Sequence, residues 1–546
     1  MNIQEWRNQL ELIQHPQAQL IMQYLTNGVD IGIERIHRTP RFCRNLISAQ
    51  GADNVEKIEQ DMQRETSLGR RAGPFKFIPF FNFQCSPIGT VPKNSYSAKL
   101  RVIHHLSYPR DYTNTSINSQ IADIECEYLA FSTVCQQVVR LGKGCLLSKF
   151  DIHEAFKYIR VRKDQQYCLG MRFKGLYYYE RCLPFGLKSA PALFELFATA
   201  INQFISKAGV AYIYHYMDDF ICVSIPQSAL QDYDITTKMF SELNISLSAD
   251  KLQRPTTRIE FLGLIIDSNT MQIELPLNKL NRYRDELASW QKKRTATRTE
   301  LQSLIGKLVH ASRAIHHGGS FYQHLLEALR GHNETSNWSD ISLTSYALND
   351  IGWWYQFIHA WNGISLIPPA LSDYQKQDQH QLYTDACQTG MGAFFAGNQY
   401  TLHSWDTSEL SRARRSSTLS MPYLELLALV HSINIWKDEL RSKALILHCD
   451  CKPVVYAINS GRAYDWRMMD LLRTLIYITS LNSIFIQCVH VAGITNIYAD
   501  LLSRSTSDQE FLKLPQLDGI HLSRKFIQPL PIKDWSKWRT TTSITH

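Results

Sequence analysis

The spacing of hydrophobic residues changes several times along the chain, and each change marks a different kind of structure. Residues 1 to about 70 carry apolar positions at helical spacing with polar breaks. The next stretch, KFIPFFNFQCSPIGTVPKNSYSAKLRVIHHLSYP, has short apolar runs separated by Pro, Gly and Asn, which is typical of strands and turns. From Leu141 to Ser224, short apolar strands alternate with helical segments such as APALFELFATAINQFI. This region therefore predicts an α+β core.

A second pattern begins further along. Thr297 and Glu300 fit a capping box ahead of LQSLIGKLVHA, which predicts a helix start there. Residues 333 to about 378 are rich in Trp and Pro and indicate a connector that ends in a polar linker. Beyond it, strands such as QLYTDA, ALILHCD and IFIQCVHV alternate with helices, which predicts a separate α/β domain. The last forty or so residues show no domain of their own.

Length and composition indicate a large globular protein. A chain of 546 residues is expected to form two to four domains. Charged residues make up 20% and hydrophobic residues 44%, which is ordinary for globular proteins and unlike disordered chains. No segment approaches the run of about 18 to 20 apolar residues that a membrane span requires. The start, MNIQEWRNQLELIQ, lacks a signal-peptide core, so we expect an intracellular protein in the cytoplasm, the nucleus or both.

Cysteine spacing and charge add two expectations. The twelve cysteines include no Cys-x-x-Cys pair, which favours reduced structural thiols over a zinc site or a disulfide framework. The net charge is +8, and the segment from Pro276 to His332 holds ten basic and four acidic residues. This helical segment is either a surface that follows nucleic-acid phosphates or simply a solvated helical face.

The first set of candidate catalytic acids includes two aspartates in IYHYMDDFICV, residues 213 to 223. This pattern predicts two short strands, with Met217, Asp218 and Asp219 at the tip of the hairpin. Asp is common in solvated turns, but Asp151 ends the upstream apolar strand of GCLLSKFDIHEAF. Carboxylates at a strand end and a hairpin tip suit Mg²⁺, and two such ions can clamp an in-line phosphoryl displacement.

This region resembles reverse transcriptases. FDIHEAF, LPFGLKSAPALFE, YMDD, LSADKLQ and FLGLIID occur in the order and rough spacing of successive motifs of that family. The resemblance implies that Asp151, Asp218 and Asp219 are the catalytic carboxylates of the palm. It implies that Phe156 is the aromatic gate that stacks under the sugar and rejects a ribose 2′-OH. Without the resemblance of the surrounding motifs, Phe156 would be interpreted as an aromatic residue of the core.

The resemblance assigns further residues to the incoming nucleotide. Phe185 and Gly186 match the loop that lines the nucleotide pocket. Lys93 and Arg101 match the finger residues that hold the triphosphate, although His105 and Ser107 replace the aspartate and arginine that usually follow. Lys251 matches a lysine near the leaving pyrophosphate, and by itself it would be read as a surface lysine.

The C-terminal α/β domain holds a second carboxylate set and resembles ribonuclease H. Its members are Asp385 in the first strand, Glu425 in the first helix, Asp450 after ALILHCD and Asp500 in the final helix. The resemblance implies that these acids hold two Mg²⁺ ions that activate water against RNA in an RNA–DNA hybrid. His490 matches a histidine that assists product departure.

One further motif is rejected. The triplet DTS at Asp406 to Ser408 is similar to the active-site motif of an aspartic protease. Serine stands where that active-site loop needs glycine, and the triplet falls inside the predicted nuclease domain. We therefore expect no protease site there.

The two resemblances together imply a multidomain α+β chain: a right-hand polymerase with fingers, palm and thumb, a connector and an α/β ribonuclease H-like domain. The predicted domains are a helical N-terminal extension (1–65), fingers and palm (66–268), a basic helical thumb (269–335), a connector (336–378), a ribonuclease H domain (379–506) and a tail (507–546). We expect RNA- and DNA-templated DNA synthesis together with ribonuclease H activity. The expected cofactor is Mg²⁺, two ions per site, with Mn²⁺ as a substitute. The expected partners are an RNA template, a DNA primer, an RNA–DNA hybrid and dNTPs.

Several sequence stretches indicate one class of retroelement. GRRAGPF, SPIGTVPK, RVIHHLSYP, HYMDDF and HVAGITNIYADLLSR are most similar to DIRS-type retrotransposons, which integrate with a tyrosine recombinase. Gypsy-type long-terminal-repeat elements share LPFGL and are the alternative. In either case, a recombinase or integrase and a Gag-like protein are expected on separate chains. The opposing hypothesis is a decayed or domesticated copy that binds nucleic acid without catalysis.

Overall fold

The computed structural model describes residues 1–33, 38–92, 100–109, 115–331, 340–369, 377–415, 418–528 and 530. It divides into two compact units. The first unit comprises residues 1–130 and 145–256, and the second comprises residues 131–144 and 257–546. No helix within the described residues is both long enough and apolar enough to cross a membrane.

The elements are numbered along the whole chain. The α-helices are α1 Ile3–Leu12, α2 Ala18–Asn27, α3 Ala52–Ser67, α4 Phe131–Leu141, α5 Ala190–Lys207, α6 Ala229–Glu242, α7 Leu277–Trp290, α8 Arg298–Ser312, α9 Gln323–Arg330, α10 Ser345–Ala360, α11 Thr407–Ala413, α12 Met421–Trp436, α13 Lys452–Ser460, α14 Trp466–Leu481 and α15 Ile497–Arg504. The strands of the first unit are β1 Arg71–Phe75, β2 Ile88–Pro92, β3 Leu100–His104, β4 Leu146–Asp151, β5 Gly170–Phe173, β6 Leu176–Glu180, β7 Ile213–Tyr216, β8 Asp219–Ser224 and β9 Gln253–Thr256. The strands of the second unit are β10 Arg258–Phe261, β11 Leu264–Asp267, β12 Gln272–Glu274, β13 Thr295–Thr297, β14 Asp340–Ser342, β15 Ile364–Leu366, β16 Gln381–Ala386, β17 Gly390–Phe395, β18 Gln399–Ser404, β19 Arg414–Arg415, β20 Thr418–Leu419, β21 Ala444–Cys449, β22 Phe485–His490 and β23 Ser523–Arg524.

The first unit is built around an antiparallel sheet in the order β7–β8–β4–β9. Helix α5 buries its apolar face against this sheet. Its Phe197 and Phe204 share one core with Phe220 of β8, and all three rings are fully or almost fully buried. Trp6 of α1 packs edge-on against two of these rings, so the N-terminal helices belong to the same core. A second sheet in the order β1–β6–β5 and the hairpin β2–β3 complete the unit.

The second unit contains a mixed sheet in the order β22–β21–β16–β17–β18–β23. Strands β16, β17 and β18 form an antiparallel meander, while β21 and β22 run parallel to β16. Helix α15 lies close to β17 at Gly392, where an added Cβ would sit 2.4 Å from the Cβ of Leu502. The sheet and its helices have the ribonuclease H-like topology that the sequence predicts, and the α+β fold class is confirmed.

Apart from α4, the other elements of the second unit come from the region between the two sets of acidic residues, that is, between Asp219 and Asp385. Sheet β10–β11–β12–β15 and the short pair β13–β14 are joined by helices α7 to α10. The predicted capping box is confirmed, because the Thr297 hydroxyl accepts from the Glu300 N–H and Glu300 accepts in return from the Thr297 N–H. Helix α8 therefore starts where the sequence indicated.

The described part of the C-terminal tail packs on the mixed sheet. Phe511 is fully buried and Leu517 is nearly so, in a cluster with Tyr400 of β18. The Tyr400 hydroxyl donates to Asp508 at 2.8 Å, and β23 adds to the edge of β18 in parallel register. These residues form part of the sheet's core and cover its edge. The predicted boundaries of the domains stay a prediction.

Candidate active sites

The first site lies where β4 meets the hairpin β7–β8. Asp151 ends β4 and is the register partner of Asp219, the first residue of β8. Met217 and Asp218 form the two-residue turn, with Met217 in the left-handed region at φ 55°. The prediction placed Asp219 at the hairpin tip too, but it belongs to the strand, because its main chain pairs with Tyr216 and Asp151. The three predicted palm carboxylates come together at one end of the sheet.

Asp151 is held as an anion. It is 4% exposed, and it accepts from the Ser248 hydroxyl at 2.7 Å and from the Lys251 ammonium at 2.8 Å. Burial by itself raises the pKa of Asp151, but the hydrogen bonds from Lys251 and Ser248 outweigh it and leave that pKa below its ordinary value. Lys251 therefore lies at the site as predicted, paired with a carboxylate.

The pKa values of the other two carboxyl groups, Asp218 and Asp219, are shifted upwards. Burial raises the pKa of Asp219 to about 6; the nearby Lys149 ammonium opposes this, while the hydrogen bond and the charge of Asp151 add to it. Burial and the charge of Asp151 also raise the pKa of Asp218. Three carboxyl groups crowded together in this way share protons rather than ionising independently. Divalent cations would relieve this repulsion, so the donor set fits hard ions such as Mg²⁺.

Aromatic and backbone groups line the region next to Asp151. The Phe156 ring lies 5.3 Å from that of Phe185 and 5.7 Å from that of Phe194, measured between centroids. Phe185 is 48% exposed, and the Arg101 guanidinium lies 5.6 Å from its ring centroid. The sequence thus predicted three of these four residues, whereas Phe194 lacks any polar or motif signal that would distinguish it from core.

The loop at Gly186 shows why glycine stands there. Gly186 has φ 94°, a conformation that favours glycine, and an added Cβ would lie 2.9 Å from the carbonyl oxygen of His104. Its own carbonyl accepts from the Asn118 amide at 2.7 Å. Asn118 and Ser248 are contacts that the sequence analysis missed, although Ser248 lies within the quoted LSADKLQ. Lys93 lies outside the described residues.

The second site lies at one end of the mixed sheet. Asp385 is in β16, Glu425 is in α12, and Asp450 directly follows β21. Helix α12 is buried on nearly all faces, and Glu425 is only 5% exposed. Donor atoms of Glu425, Asp450 and Cys449 all lie within 4.8 Å of one another. Cys449 is a neighbour that the prediction did not name, and a thiol is a poor ligand for a hard ion.

The carboxyl groups of the second site are strongly perturbed. Burial raises the pKa of Glu425 to about 9, and the charges of Asp385 and Asp450 add to this. Burial also raises the pKa of Asp385 to about 6, although the Ser503 hydroxyl donates to it at 2.5 Å. One buried Glu425 oxygen has no hydrogen-bond partner among the described residues. Such an oxygen beside two acids fits a cation ligand.

The last two predicted residues lie at the margin of this site. Asp500 is in the first turn of α15, its charge acts on Asp385, and it accepts from the Arg504 guanidinium at 2.7 Å. The exposed His490 ring lies with Nε2 3.1 Å from the main-chain oxygen of Asp450. The structure thus places all four acids and the histidine at one end of the sheet.

The rejected DTS triplet has a local structural role. The Asp406 carboxylate caps α11 by accepting from the N–H groups of Ser408 and Glu409, at 2.7 and 2.8 Å. Glu409 completes the capping box by accepting from the Asp406 N–H. Asp406 therefore has a structural role as the cap of α11.

A comparison with protein families locates a known domain in the first unit and at the start of the second. Residues 91–266 match the family described as "Reverse transcriptase (RNA-dependent DNA polymerase)". The chain therefore carries a reverse transcriptase domain. Asp151, Asp218 and Asp219 all lie within the matched residues.

Similar proteins include transposon polyproteins. The chain is 22% identical to the Transposon Tf2-3 polyprotein of Schizosaccharomyces pombe over 420 residues, which cover 75% of this chain and 29% of the polyprotein. The Transposon Tf2-7 polyprotein of the same organism is 21% identical, with the same coverage. The chain thus spans about three-tenths of the length of these relatives.

Solved structures of similar proteins include two foamy viral protease-reverse transcriptases. The dRH form in complex with double-stranded DNA has 16% identity and a TM-score of 0.47, covering 90% of this chain and 82% of that chain. A second structure in complex with double-stranded DNA has 15% identity and a TM-score of 0.47, covering 90% of this chain and 98% of that chain.

Proposed function

We propose that this chain, which carries a reverse transcriptase domain, is an RNA- and DNA-templated DNA polymerase with ribonuclease H activity that copies a retrotransposon through cDNA. The observation that carries the proposal is the cluster of Asp151, Asp218 and Asp219 inside the matched domain. The second carboxylate site, built in the same chain on a ribonuclease H-like sheet, supports the nuclease activity.

In the polymerase site, the three aspartates would hold two Mg²⁺ ions, with Mn²⁺ as a substitute. Bound ions lower the pKa of a primer 3′-OH and neutralise the charge of the departing pyrophosphate. Lys251, which donates to Asp151, would balance the charge of the departing pyrophosphate. Residues of the chain thus bring the reacting groups into line and balance charge that develops during the transfer.

The nucleotide itself would contact the residues beside Asp151. Phe156 would stack under the sugar and exclude a 2′-OH, while Phe185 and Gly186 would line the pocket. Arg101 and Lys93 would bind the triphosphate by charge-assisted hydrogen bonds. The exposure of Phe185 and the position of Arg101 over its ring support this arrangement.

In the nuclease site, the four acids would hold two Mg²⁺ ions, and these activate a water against an RNA phosphodiester. The acids concerned are Asp385, Glu425, Asp450 and Asp500. Bound cations would keep Glu425 ionised in a place where burial otherwise favours its neutral form. His490 would assist departure of the product from its exposed position beside Asp450.

The predicted domain boundaries belong to the same proposal: extension 1–65, fingers and palm 66–268, thumb 269–335, connector 336–378, nuclease 379–506 and tail 507–546. The basic residues of α7 and α8 would bind the template–primer duplex through its phosphates, independently of its sequence and with strong salt dependence. Partners would be an RNA template, a DNA primer, an RNA–DNA hybrid and dNTPs.

The parent element is proposed to be of DIRS type, because stretches such as GRRAGPF and HYMDDF are similar to that class. The similarity to the Tf2 transposon polyproteins fits the gypsy-type long-terminal-repeat alternative and does not support the DIRS type specifically. A recombinase or integrase and a Gag-like protein would be supplied by other chains. We propose an intracellular site of action, in the cytoplasm, the nucleus or both.

The function is tested by incubating the purified chain with poly(rA)/oligo(dT) whose RNA strand is labelled, dTTP that carries a different label, and Mg²⁺. The proposal predicts primer extension and release of labelled RNA fragments, both abolished by a chelator and restored by Mg²⁺ or Mn²⁺. Tight binding of the hybrid without extension in either metal would instead support a non-catalytic nucleic-acid-binding copy.

A further inference from the structure

The turn that carries Phe156 is flanked by two charged residues, Glu154 and Lys157. The Lys157 N–H donates to the Glu154 carbonyl at 2.8 Å, which closes the turn. Glu154 has φ 52° and ψ 47°, the left-handed region that a residue with a side chain adopts only when its surroundings hold it there. The position of Phe156 therefore depends on what holds these two neighbours.

Two arginines hold Glu154. The Arg64 guanidinium donates to one carboxylate oxygen at 2.6 Å, and the Arg70 guanidinium donates to the other. Arg64 lies in the last turn of α3 and Arg70 directly precedes β1. Hydrogen bonds between charged groups are stronger and more directional than neutral ones, so this pair of contacts restrains the carboxylate from two sides.

Two buried carboxylates hold Lys157 on the other side of Phe156. Its ammonium lies 3.1 Å from Glu180 of β6 and 3.7 Å from Glu65 of α3. Both glutamate side chains are only 2% exposed. The charges of Arg71 and Lys157 outweigh burial and lower the pKa of Glu180 to about 2. The glutamate stays ionised, and Lys157 is held by charge in a site with little solvent screening.

These contacts make a continuous set around the turn, here called the turn network: Arg64, Glu65, Arg70, Glu154, Lys157 and Glu180. Arg64 also contacts Glu65 at 2.7 Å, which links the two halves. The network holds the turn at both ends, while the Phe156 ring lies against Phe185 and Phe194. Helix α3 lies almost wholly within the N-terminal extension, for which the sequence suggested no role.

We propose that the turn network positions Phe156 and thereby sets how strongly the chain discriminates between deoxyribonucleotides and ribonucleotides. The inference rests on the proposed polymerase function. The network residues do not touch the nucleotide in this account, so they are positioning residues. Because α3 supplies Arg64 and Glu65, the N-terminal extension contributes to the selection of deoxyribonucleotides over ribonucleotides.

The test measures kcat and KM for dTTP and for UTP on one DNA template–primer. Glu154→Gln removes a charge while keeping the shape of the side chain, and Arg70→Gln removes one of its partners. Each substitution is expected to reduce the preference for dTTP over UTP by about three- to tenfold, chiefly through a lower KM for UTP. The double variant should lose no more than the single variants, because both changes break the same contact.

Two further variants separate positioning from a general loss of structure. Arg70→Lys keeps the charge and is expected to restore part of the discrimination. Glu59→Gln removes an exposed ion pair with Lys174, 2.8 Å long, from the same helix α3 and is expected to leave discrimination unchanged. The melting temperature and the affinity for the template–primer are recorded for every variant, so that a misfolded protein is recognised.

The outcomes distinguish the two levels of the proposal. If the natural chain extends no primer, the proposed function itself fails. If the natural chain extends primers but folded Glu154→Gln and Arg70→Gln keep its full preference for dTTP, the function stands and the positioning role is overturned. Additive losses in the double variant, or an equal loss in Glu59→Gln, would also overturn it.

Discussion

Asp151 and Asp219 face each other as register partners on the antiparallel strands β4 and β8. The shared register brings an anion stabilised by Lys251 and Ser248 next to a carboxyl group whose pKa is raised to about 6. Carboxyl groups with such different pKa values, side by side at one end of a sheet, fit a site that binds divalent cations. This relationship is the structural basis of the proposed polymerase chemistry.

The buried Glu425 predicts a pH effect on the stability of the metal-free protein. Its pKa is raised from an ordinary value near 4.5 to about 9, so between these values the folded state binds more protons than the unfolded state. The free energy of unfolding should therefore fall as the pH rises through this window. Glu425→Gln should remove the contribution of this residue to the pH dependence and stabilise the metal-free chain at pH 7.5 by about 1–3 kcal/mol.

Urea unfolding followed with and without Mg²⁺ checks this prediction. Mg²⁺ should stabilise the natural chain more than Glu425→Gln, because the variant loses a ligand. Glu510→Gln, an exposed change in the same unit, serves as the control and should alter neither quantity. A Glu425→Gln protein that is less stable than the natural chain without metal would contradict the assignment.

Replacing Phe156 tests the sugar gate directly. Phe156→Val should admit ribonucleotides, because it removes the ring that would lie under the sugar. We expect the preference for dTTP over UTP to fall on the order of 10- to 100-fold in single-nucleotide extension. Phe173→Val, a buried change in β5 of the same unit, should lower stability without this effect. Unchanged incorporation of UTP by Phe156→Val would show that the gate is placed wrongly.

The C-terminal tail should contribute to the stability of the second unit. Phe511→Ala should cost about 3–5 kcal/mol, because it empties a fully buried site against Tyr400 of β18. The adjacent Leu512 is 47% exposed, so Leu512→Ala should change the free energy of unfolding by less than about 0.5 kcal/mol. Equal effects of the two substitutions would contradict the packing of the tail on the sheet.

A buried ion pair should hold the predicted connector against the predicted nuclease domain. Asp350 of α10 is fully buried and accepts from the Arg473 guanidinium of α14 at 2.7 Å and from the His324 N–H of α9 at 3.1 Å. Asp350→Ala leaves Arg473 with a buried charge and should destabilise the protein by about 3–5 kcal/mol. Asp470→Ala removes the half-exposed second partner of Arg473 and should cost under about 1 kcal/mol in thermal unfolding.

Much of the candidate sites could be predicted because chemistry leaves strong local patterns. Three patterns can each be recognised within a dozen residues: the strand that ends in Asp151, the pair Asp218 and Asp219, and the capping box at Thr297. Contacts between distant residues leave no such pattern. The sequence analysis gave no hint that Glu154 meets Arg64, because ion pairs 90 residues apart depend on how strands and helices pack.

The other differences have similar causes. Strand β23 has only two residues, too few to show any alternation of polar and apolar positions. Helix α12 is apolar on almost every face, so its sequence does not show which face meets the other acids. Asp219 was assigned to the turn, because sequence alone did not distinguish a two-residue turn from a three-residue one.

The central claim is that one chain holds two independent phosphoryl-transfer sites. The most direct test compares the natural chain, Asp218→Asn and Glu425→Gln on poly(rA)/oligo(dT) with Mg²⁺, following primer extension and RNA release in the same tube. We expect Asp218→Asn to lose extension and keep RNA cleavage, and Glu425→Gln to keep extension and lose cleavage. Loss of both activities in either folded variant, or full extension by Asp218→Asn, would contradict it.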